Sequence, residues 1–297
     1  MKTLIETLMP YGSVAIAGMA KNAGKTTTLN YLIQGFGAQN AVRLGLTSIG
    51  LDGEEIDAVT GTPKPRIFVP RGSIIATAEK LLVQRGLCDI TKEILDVTDI
   101  GTPLGRIVVM RALSAGFAQI AGPSITAQAA SLVKDLRGFG ADKVIVDGAV
   151  GRKSLAMPGI ADAVVLATGA SLSKSMDGVI AQTRHIVDIF CLPEADMSLT
   201  HIYIEGAVTD AKVADNYDCY IVADDAAKIL ITPATAQKVR IRGGSLAVKR
   251  RINLAAVTIN PVSPYGHGFD SAEFLEKMRE ALPVPVFDIG GTNLCWD

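Results

Sequence analysis

The stretch Ser13-Val-Ala-Ile-Ala-Gly18-Met-Ala-Lys-Asn-Ala-Gly24-Lys25-Thr-Thr-Thr-Leu29 decides the fold of this 297-residue chain. It opens with five small or apolar residues typical of a buried strand, continues through a loop flanked by glycines, and ends in a run compatible with a helix. A strand that enters a helix through such a loop begins a βαβ unit. The stretch therefore predicts an α/β fold.

Short apolar runs alternate with longer amphipathic stretches along the rest of the chain, which is the pattern of repeated βαβ units. Several runs are continuously apolar, among them Val144–Val146 and Val164–Leu166, as expected for strands covered on both faces. We therefore expect a mostly parallel, doubly wound sheet with helices on both faces. The predicted strands are Ser13–Ala17, Arg43–Ile49, Arg66–Val69, Arg106–Met110, Lys143–Val146, Ala163–Ala167, Ile202–Ile204, Tyr220–Ala223, Leu254–Ile259 and Val284–Asp288. The predicted helices are Lys25–Gly35, Ile74–Gln84, Ile125–Leu136, Ser175–Phe190 and Ser271–Ala281.

The composition marks no boundary between domains, because the chain has no internal repeat, low-complexity tract or long linker. We expect a single domain over residues 1–297. Signals for strands and helices are irregular at about 200–251, and this segment is expected to elaborate the edge of the sheet. Its basic run Lys249-Arg250-Arg251 indicates a solvated strand end.

Charge and cysteine usage exclude several classes of function. The 29 Lys and Arg residues nearly balance 30 Asp and Glu residues, so no broad basic surface for nucleic acid or an anionic membrane is expected. The 4 cysteines never fall in a C-x-x-C spacing, which argues against zinc or iron–sulfur sites and against a disulfide framework. No apolar run reaches the ~20 residues of a membrane helix. The sequence predicts a cytoplasmic protein.

The residues Gly24-Lys25-Thr26-Thr27 supply the chemistry of a Walker A loop, which binds nucleotide phosphates. Gly24 allows close approach of the backbone, and the amides from Asn22 to Thr27 and the helix N-terminus point at the phosphates. Lys25 is expected to bridge the β- and γ-phosphates, and the Thr26 hydroxyl to hold Mg²⁺. Thr27 would reach the α-phosphate.

The loop departs from the usual spacing G-x-x-x-x-G-K-[ST]. That pattern requires glycine at the position of Met19, and Gly18 lies one residue earlier, so the loop is one residue longer. The alternative is an ordinary glycine-containing turn between a strand and a helix.

A second candidate group is Asp147, at the end of the apolar run Lys143-Val-Ile-Val and before Gly148 and Gly151. A carboxylate at the end of a buried strand beside the phosphate loop is typical of a Walker B strand and can bind Mg²⁺ through water. The glycines would leave room for the γ-phosphate. An aspartate that starts a turn is the alternative interpretation.

The longer loop, the strand pattern and these motifs resemble the dethiobiotin synthetase branch of the P-loop NTPases, in the SIMIBI class that also contains signal-recognition and MinD-like proteins. MinD-like members carry a signature lysine five residues before the phosphate-binding lysine. Here that position is Ala20, and Lys21 lies one place away.

The resemblance implies a metal-binding or water-orienting switch loop after the second strand. The acidic run Gly50-Leu-Asp52-Gly-Glu-Glu55 lies there, and Asp52 is the candidate residue. A solvated acidic turn is the alternative, since Asp-Gly is also a strong turn signal.

The resemblance also implies that an asparagine at the end of a strand contacts adenine. Asn260 follows the predicted strand Leu254–Ile259 and is the candidate residue. Its amide offers a donor and an acceptor, which match the N6 and N7 edge of adenine. No N-K-x-D guanine motif occurs, which favours ATP. Asn260-Pro261 is also ordinary turn chemistry.

The residues expected to contact the nucleotide are Gly18, Lys21, Asn22, Ala23, Gly24, Lys25, Thr26, Thr27 and Asn260. The expected catalytic residues are Lys25, Asp52 and Asp147, and the expected metal ligands are Thr26, Asp52 and Asp147.

Four longer phrases resemble the P-loop subunit of the lysine aminomutase reactivase: Ala20–Asn30, Gly101–Arg106, Ala121–Ser124 and Val257–Gly266. This resemblance implies an ATPase, with Mg²⁺, that helps an adenosylcobalamin-dependent aminomutase of amino-acid fermentation to release damaged cobalamin. It implies a second reactivase subunit and the aminomutase as partners, and it allows a homodimer.

Two other functions stay open at the level of sequence. An ATP-dependent ligase resembling dethiobiotin synthetase would activate a carboxylate, with Arg71, Arg106, Arg111 or Arg152 available to bind the acid. A nucleotide-binding protein without turnover is the third interpretation, because no catalytic base is evident.

Overall fold

A computed structural model describes residues 2–37, 42–50, 67–84, 86–150 and 159–290. The strands are β1 (Ser13–Gly18), β2 (Leu44–Ser48), β3 (Ile67–Val69), β4 (Ile74–Ala78), β5 (Lys92–Thr102), β6 (Gly105–Ala112), β7 (Gly116–Ala118), β8 (Lys143–Val150), β9 (Ala163–Gly169), β10 (Ile202–Tyr203), β11 (Tyr220–Asp225), β12 (Ser245–Arg250), β13 (Leu254–Asn260) and β14 (Val286–Asp288). The helices are α1 (Leu4–Leu8), α2 (Lys25–Gly37), α3 (Glu79–Val83), α4 (Thr126–Gly138), α5 (Met176–Phe190), α6 (Asp210–Val213), α7 (Pro233–Ile241) and α8 (Ser271–Ala281), with a 3-10 turn at Ala226–Lys228.

The strands confirm the expected α/β class and the mostly parallel sheet. Nine of them form one sheet in the order β14-β13-β9-β1-β8-β2-β4-β6-β5. Every neighbouring pair from β14 to β4 is parallel, and the β4–β6 and β6–β5 pairs are antiparallel. The carboxyl ends of the seven parallel strands therefore share one edge of the sheet, hereafter the carboxyl edge.

Apolar helices cover both faces of this sheet, as predicted. Val14 and Ile16 of β1 belong to an apolar cluster with residues of α1 and α2. Ala15 and Ala17 belong to a second cluster with residues of α4, α5 and α8. Because successive side chains of a strand point to opposite faces, β1 must be apolar on both, which explains its continuous run of small and apolar residues.

The segment at about 200–251 forms a sheet of its own, in contrast to the expected elaboration of the large sheet's edge. Its three parallel strands have the order β10-β11-β12, with α6 and α7 in the connections. His185 on α5 binds the carbonyl oxygen of Ile231 at 3.0 Å and ties this unit to the main body. These strands form their own sheet because the helices that connect them make βαβ units, in which each strand pairs with the next.

Two predicted elements differ from the structure. The helix expected over Ile74–Gln84 is strand β4 followed by the short helix α3. All five residues of β4 are buried, and a short run that is apolar on both sides does not distinguish a strand from a buried helix. The strand expected over Arg66–Val69 lies at Ile67–Val69 and pairs with β7 instead of the large sheet.

Within the described ranges, no helix combines the length and the apolar character needed to cross a membrane.

Lys143 is a buried cation that anchors α1 to the sheet. Its Nζ donates to the carbonyl oxygens of Leu8, Met9 and Tyr11 and lies 4.6 Å from the centre of the Phe36 ring. Burial lowers the pKa of Lys143, and the Asp162 carboxylate opposes that shift. The three carbonyls and the ring offset the loss of hydration of the ammonium group.

Replacing Lys143 by methionine is expected to lower the free energy of unfolding by about 3 kcal/mol, because three carbonyl oxygens lose a charged donor. Urea denaturation measures this difference. Lys134→Met, at an exposed position of α4, is the matched control and should change stability by less than about 0.5 kcal/mol. Equal stability of the two variants would contradict a structural role for Lys143.

Candidate phosphate-binding site

The predicted phosphate loop lies at the carboxyl edge, in the middle of the large sheet. Strand β1 pairs with β8 on one side and β9 on the other, and its pairing with β9 extends to Gly18. Met19 N donates to Ala167 O at 3.0 Å, and α2 begins at Lys25. Gly18 is therefore the last strand residue, and the loop proper spans residues 19–24. Parallel sheets bind ligands at such positions, where the chain turns away on both sides.

Two residues of the loop have left-handed backbone conformations. Asn22 has φ 60° and Gly24 has φ 95°, a region where glycine is favoured and asparagine is tolerated. Alternation between right- and left-handed residues turns successive amides toward one concave side, which can bind an anion. Lys21 and Asn22 are exposed, whereas Ala23 is buried. The small residues Ala23 and Gly24 therefore leave the backbone open next to Lys25, whereas Lys21 and Asn22 extend toward solvent.

The start of α2 leaves amide groups for a ligand. Thr28 N donates to Gly24 O at 2.9 Å, and the Thr28 hydroxyl binds the same carbonyl at 3.0 Å. The preceding amides, from Lys25 to Thr27, have no carbonyl within the helix to bind. The side chains of Thr26 and Thr27 are partly buried beside them. This end of the helix carries a partial positive charge that favours phosphate.

The structure brings Lys25 and Asp147 together, although 122 residues separate them. Lys25 Nζ lies 2.9 Å from Asp147 Oδ1, and it also donates to the carbonyl oxygen of Gly148. The Lys25 side chain passes over Gly18, where an added Cβ would lie 3.6 Å from Lys25 Cβ. The two charged side chains are 19% and 24% exposed, so a ligand can reach them from solvent.

The residues present fit a magnesium ion held jointly with phosphate. Asp147 Oδ1 is buried and has no hydrogen-bond partner of good geometry in the described part of the chain, despite its ion pair with Lys25. No group of three or more His, Cys, Asp or Glu side chains that could hold a metal occurs among the described residues. One carboxylate, the Thr26 hydroxyl, phosphate oxygens and water form the kind of oxygen ligand set that Mg²⁺ prefers. Asp52 and Gly151 lie outside the described residues.

Asn260 lies at the carboxyl end of β13 and touches the phosphate loop. An added Cβ at Gly24 would lie 3.0 Å from Asn260 Cβ. Asn260 Oδ1 accepts a hydrogen bond from Val262 N at 3.1 Å, and the Asn260 carbonyl accepts one from Ala170 N at 2.9 Å. Because Oδ1 already serves the local turn, recognition of a base would depend on the Nδ2 group.

Two glycines that the sequence interpretation did not single out permit this arrangement. An added Cβ at Gly169 would lie 2.3 Å from Asn260 O, and one at Gly122 would lie 1.7 Å from Ser48 O. At both positions the backbone of another segment lies so close that any residue with a Cβ atom would clash with it, so only glycine fits. Gly169 could have been found from the sequence because it is a glycine at the end of an apolar strand. Gly122 could have been found because it lies in the phrase Ala121–Ser124.

Of the four arginines considered for a carboxylate pocket, the three within the described ranges do not gather at the loop. Arg71 precedes β4, and Arg111 pairs with Ile74 at the start of that strand. Both therefore lie at the edge of the sheet opposite the phosphate loop, and Arg111 is engaged with Glu93 at 2.6 Å. Arg106 begins β6 near the carboxyl edge, and Arg152 lies outside the described residues.

No family model, curated protein or solved structure matches this chain significantly.

Asn260→Ala is expected to weaken ATP binding by about 1–3 kcal/mol and to reduce the preference for ATP over GTP, because the base loses its side-chain contact. Asn260→Asp is the matched variant, since it keeps an acceptor for Val262 N but removes the Nδ2 donor. Calorimetry with both nucleotides measures the effect. If Asn260→Asp keeps the preference for ATP over GTP, then Asn260 stabilises the turn to Val262 and does not recognise the base.

Proposed function

We propose that this chain is a Mg²⁺-dependent ATPase. The observation that carries the proposal is the position of Lys25, which begins α2 directly after a loop with left-handed residues and points at Asp147 on the neighbouring strand. A cation, helix amides and a carboxylate that can bind Mg²⁺ are the groups that phosphoryl transfer requires. In this proposal Lys25 binds the β- and γ-phosphates, and Thr26 and Asp147 hold the metal.

We further propose that ATP turnover drives reactivation of an adenosylcobalamin-dependent aminomutase, together with a second subunit. The proposal rests on the resemblance of four phrases to the reactivase subunit. In the fold these phrases lie on one side, although they span residues 20–266. The phosphate loop, Ala121–Ser124 and Val257–Gly266 lie at the carboxyl edge, and the turn of the β5–β6 hairpin lies beside the end of β4. Phrases that lie far apart in the sequence but along one edge of the sheet can contribute to a single functional surface.

The Ala121–Ser124 phrase contacts the exit of β2. Pro123 O accepts a hydrogen bond from Gly50 N at 3.1 Å, and Ala121 N donates to the Thr77 hydroxyl at 3.0 Å. Gly50 is followed by the acidic run that contains Asp52. A γ-phosphate that orders such loops is an established means of changing a protein's binding surface.

The ligase interpretation has less support. A carboxylate substrate would need positive side chains near the γ-phosphate, and two of the four candidates, Arg71 and Arg111, lie at the opposite edge of the sheet. No specific observation favours this function over the ATPase.

The proposal is tested by recovery of aminomutase activity after inactivation during turnover. The purified chain, Mg-ATP, the second subunit and intact adenosylcobalamin are added, and ATP hydrolysis is followed in parallel with and without the partners. We expect recovery and stimulated hydrolysis with the parent chain, and neither with Lys25→Ala. Equal recovery with parent, variant and buffer would refute the reactivase function. ADP release that depends on one of a panel of small carboxylates would instead support the ligase.

A further inference from the structure

Two buried threonines form a chain of hydrogen bonds that ends at the phosphate loop. The hydroxyl oxygens of Thr28 on α2 and Thr258 on β13 lie 2.8 Å apart, and each residue is at most 1% exposed. The Thr28 hydroxyl donates to the carbonyl oxygen of Gly24 at 3.0 Å. Because a hydroxyl group has a single proton, Thr258 is then the donor to Thr28. The chain therefore runs from Thr258 through Thr28 to Gly24.

The carbonyl at the end of this chain belongs to the peptide that enters α2. Gly24 O accepts hydrogen bonds from both the amide and the hydroxyl of Thr28. In a trans peptide the next N–H lies opposite the carbonyl, so the Lys25 N–H points away from α2, on the side where the proposed function places the phosphates. Gly24 has φ 95°, and glycine permits more than one orientation of such a peptide. The hydroxyl bond adds to the amide bond in favouring the orientation that presents the Lys25 N–H.

We propose that Thr28 and Thr258 are positioning residues for phosphate binding, an inference that rests on the proposed function for the identity of the ligand. Neither hydroxyl contacts the phosphates. They hold the Gly24–Lys25 peptide in its binding orientation before the ligand arrives. Such preorganisation raises affinity, because the loop loses less conformational freedom when the ligand binds. Thr258 acts through Thr28, and Thr28 acts through the Gly24 carbonyl.

A second pair of threonines with the same geometry supplies a matched control. The hydroxyl oxygens of Thr168 on β9 and Thr183 on α5 lie 2.8 Å apart, and both residues are buried. The Thr183 hydroxyl donates to the carbonyl oxygen of Val179, four residues earlier, at 2.8 Å. Val179 belongs to α5 and not to the phosphate loop. Loss of the Thr183 hydroxyl therefore repeats the structural change without acting on the Gly24–Lys25 peptide.

The test measures the affinity of the full chain for Mg-ATP and for pyrophosphate, which has the phosphates but no base, by calorimetry. Valine has nearly the shape of threonine but no hydroxyl group. Thr28→Val should weaken binding of both ligands roughly three- to tenfold, the range for one hydrogen bond. Thr28→Ser keeps the hydroxyl and should bind both within about twofold of the parent. Thr183→Val should lose stability in urea as Thr28→Val does, but keep the parent's affinities.

The order of the chain is tested by combining substitutions. Thr258→Val should weaken binding of both ligands roughly two- to fivefold in the parent chain, because the Thr28 hydroxyl loses the donor that holds it. In the Thr28→Val background the same change should have no further effect, since the path to Gly24 is already broken. Effects that multiply independently would show that Thr258 does not act through Thr28.

The positioning role is overturned if Thr28→Val keeps the parent's affinities or if Thr183→Val loses affinity equally. If the parent binds and hydrolyses ATP while Thr28→Val is unchanged, the positioning role fails and the proposed ATPase stands. If pyrophosphate binding depends on the Thr28 hydroxyl but ATP is not hydrolysed, the ATPase fails and the positioning role stands. Absence of binding of either ligand to the parent would overturn both.

Discussion

Replacing Lys25 by alanine is expected to reduce ATP hydrolysis about 100-fold or more and to weaken ATP binding strongly. The reason is that Lys25 Nζ is the cation at the start of α2, where the charge of the β- and γ-phosphates would develop during transfer. Among the described residues, Asp147 and the Gly148 carbonyl bind this group, and a bound nucleotide could replace these contacts or add to them. Steady-state hydrolysis and calorimetry with ATP measure the two effects.

The same substitution should leave the fold nearly unchanged. Lys25→Ala leaves the partly buried Asp147 carboxylate without its partner, so we expect the free energy of unfolding to fall by at most about 1–3 kcal/mol. Lys134→Ala, an equal change of charge at an exposed position of α4, is the control and should keep full activity. Unaltered hydrolysis and ATP affinity in Lys25→Ala would disprove the phosphate-loop assignment.

Asp147→Asn is expected to retain nucleotide binding without metal but to reduce Mg²⁺-dependent hydrolysis roughly 100-fold. The change is isosteric, so it removes the negative charge beside the metal while the amides of the loop and of α2 remain. Lys25 keeps its bond to the Gly148 carbonyl. The measurement is hydrolysis as a function of Mg²⁺ concentration, together with binding of ATP in the presence of a chelator.

Asp135→Asn is the matched control. It makes the same chemical change at an exposed position of α4, a helix that does not adjoin the candidate phosphate loop in the chain. It should behave as the parent. A variant at Asp147 whose Mg²⁺ dependence equals that of the parent would show that the metal is held elsewhere, and Asp52 would then be the next residue to replace.

The sequence predicted the central strands and the loop well because local signals determine them. β1 and α2 begin at the predicted residues Ser13 and Lys25, and α8 matches its predicted range Ser271–Ala281. In each case an apolar run or a capping residue lies within a few positions of the boundary, so neighbouring residues alone fix the start of the element.

The sequence failed where partners distant in the chain decide the structure. Ile74–Ala78 forms a strand because β2 and β6 supply hydrogen bonds on both sides. The whole of β5, Lys92–Thr102, was missed, since it is polar and mostly exposed at the edge of the sheet and exists through its pairing with β6. Strand pairing of this kind is a tertiary property and leaves only a weak pattern in the strand itself.

The candidate site also combines features set by the local sequence with features set by residues distant in the chain. The sequence by itself determined the turn from β1 into α2 that is the candidate phosphate loop, because Gly24 and Lys25 stand at a boundary whose geometry is local. Only the tertiary structure placed Asp147 Oδ1 at 2.9 Å from Lys25 Nζ and Asn260 against Gly24. The order β13-β9-β1-β8 pairs strands whose partner residues are about 90 or more positions apart, and the register between them sets which side chains meet at the carboxyl edge. That register follows from packing on both faces of the sheet, which no single segment of the chain contains.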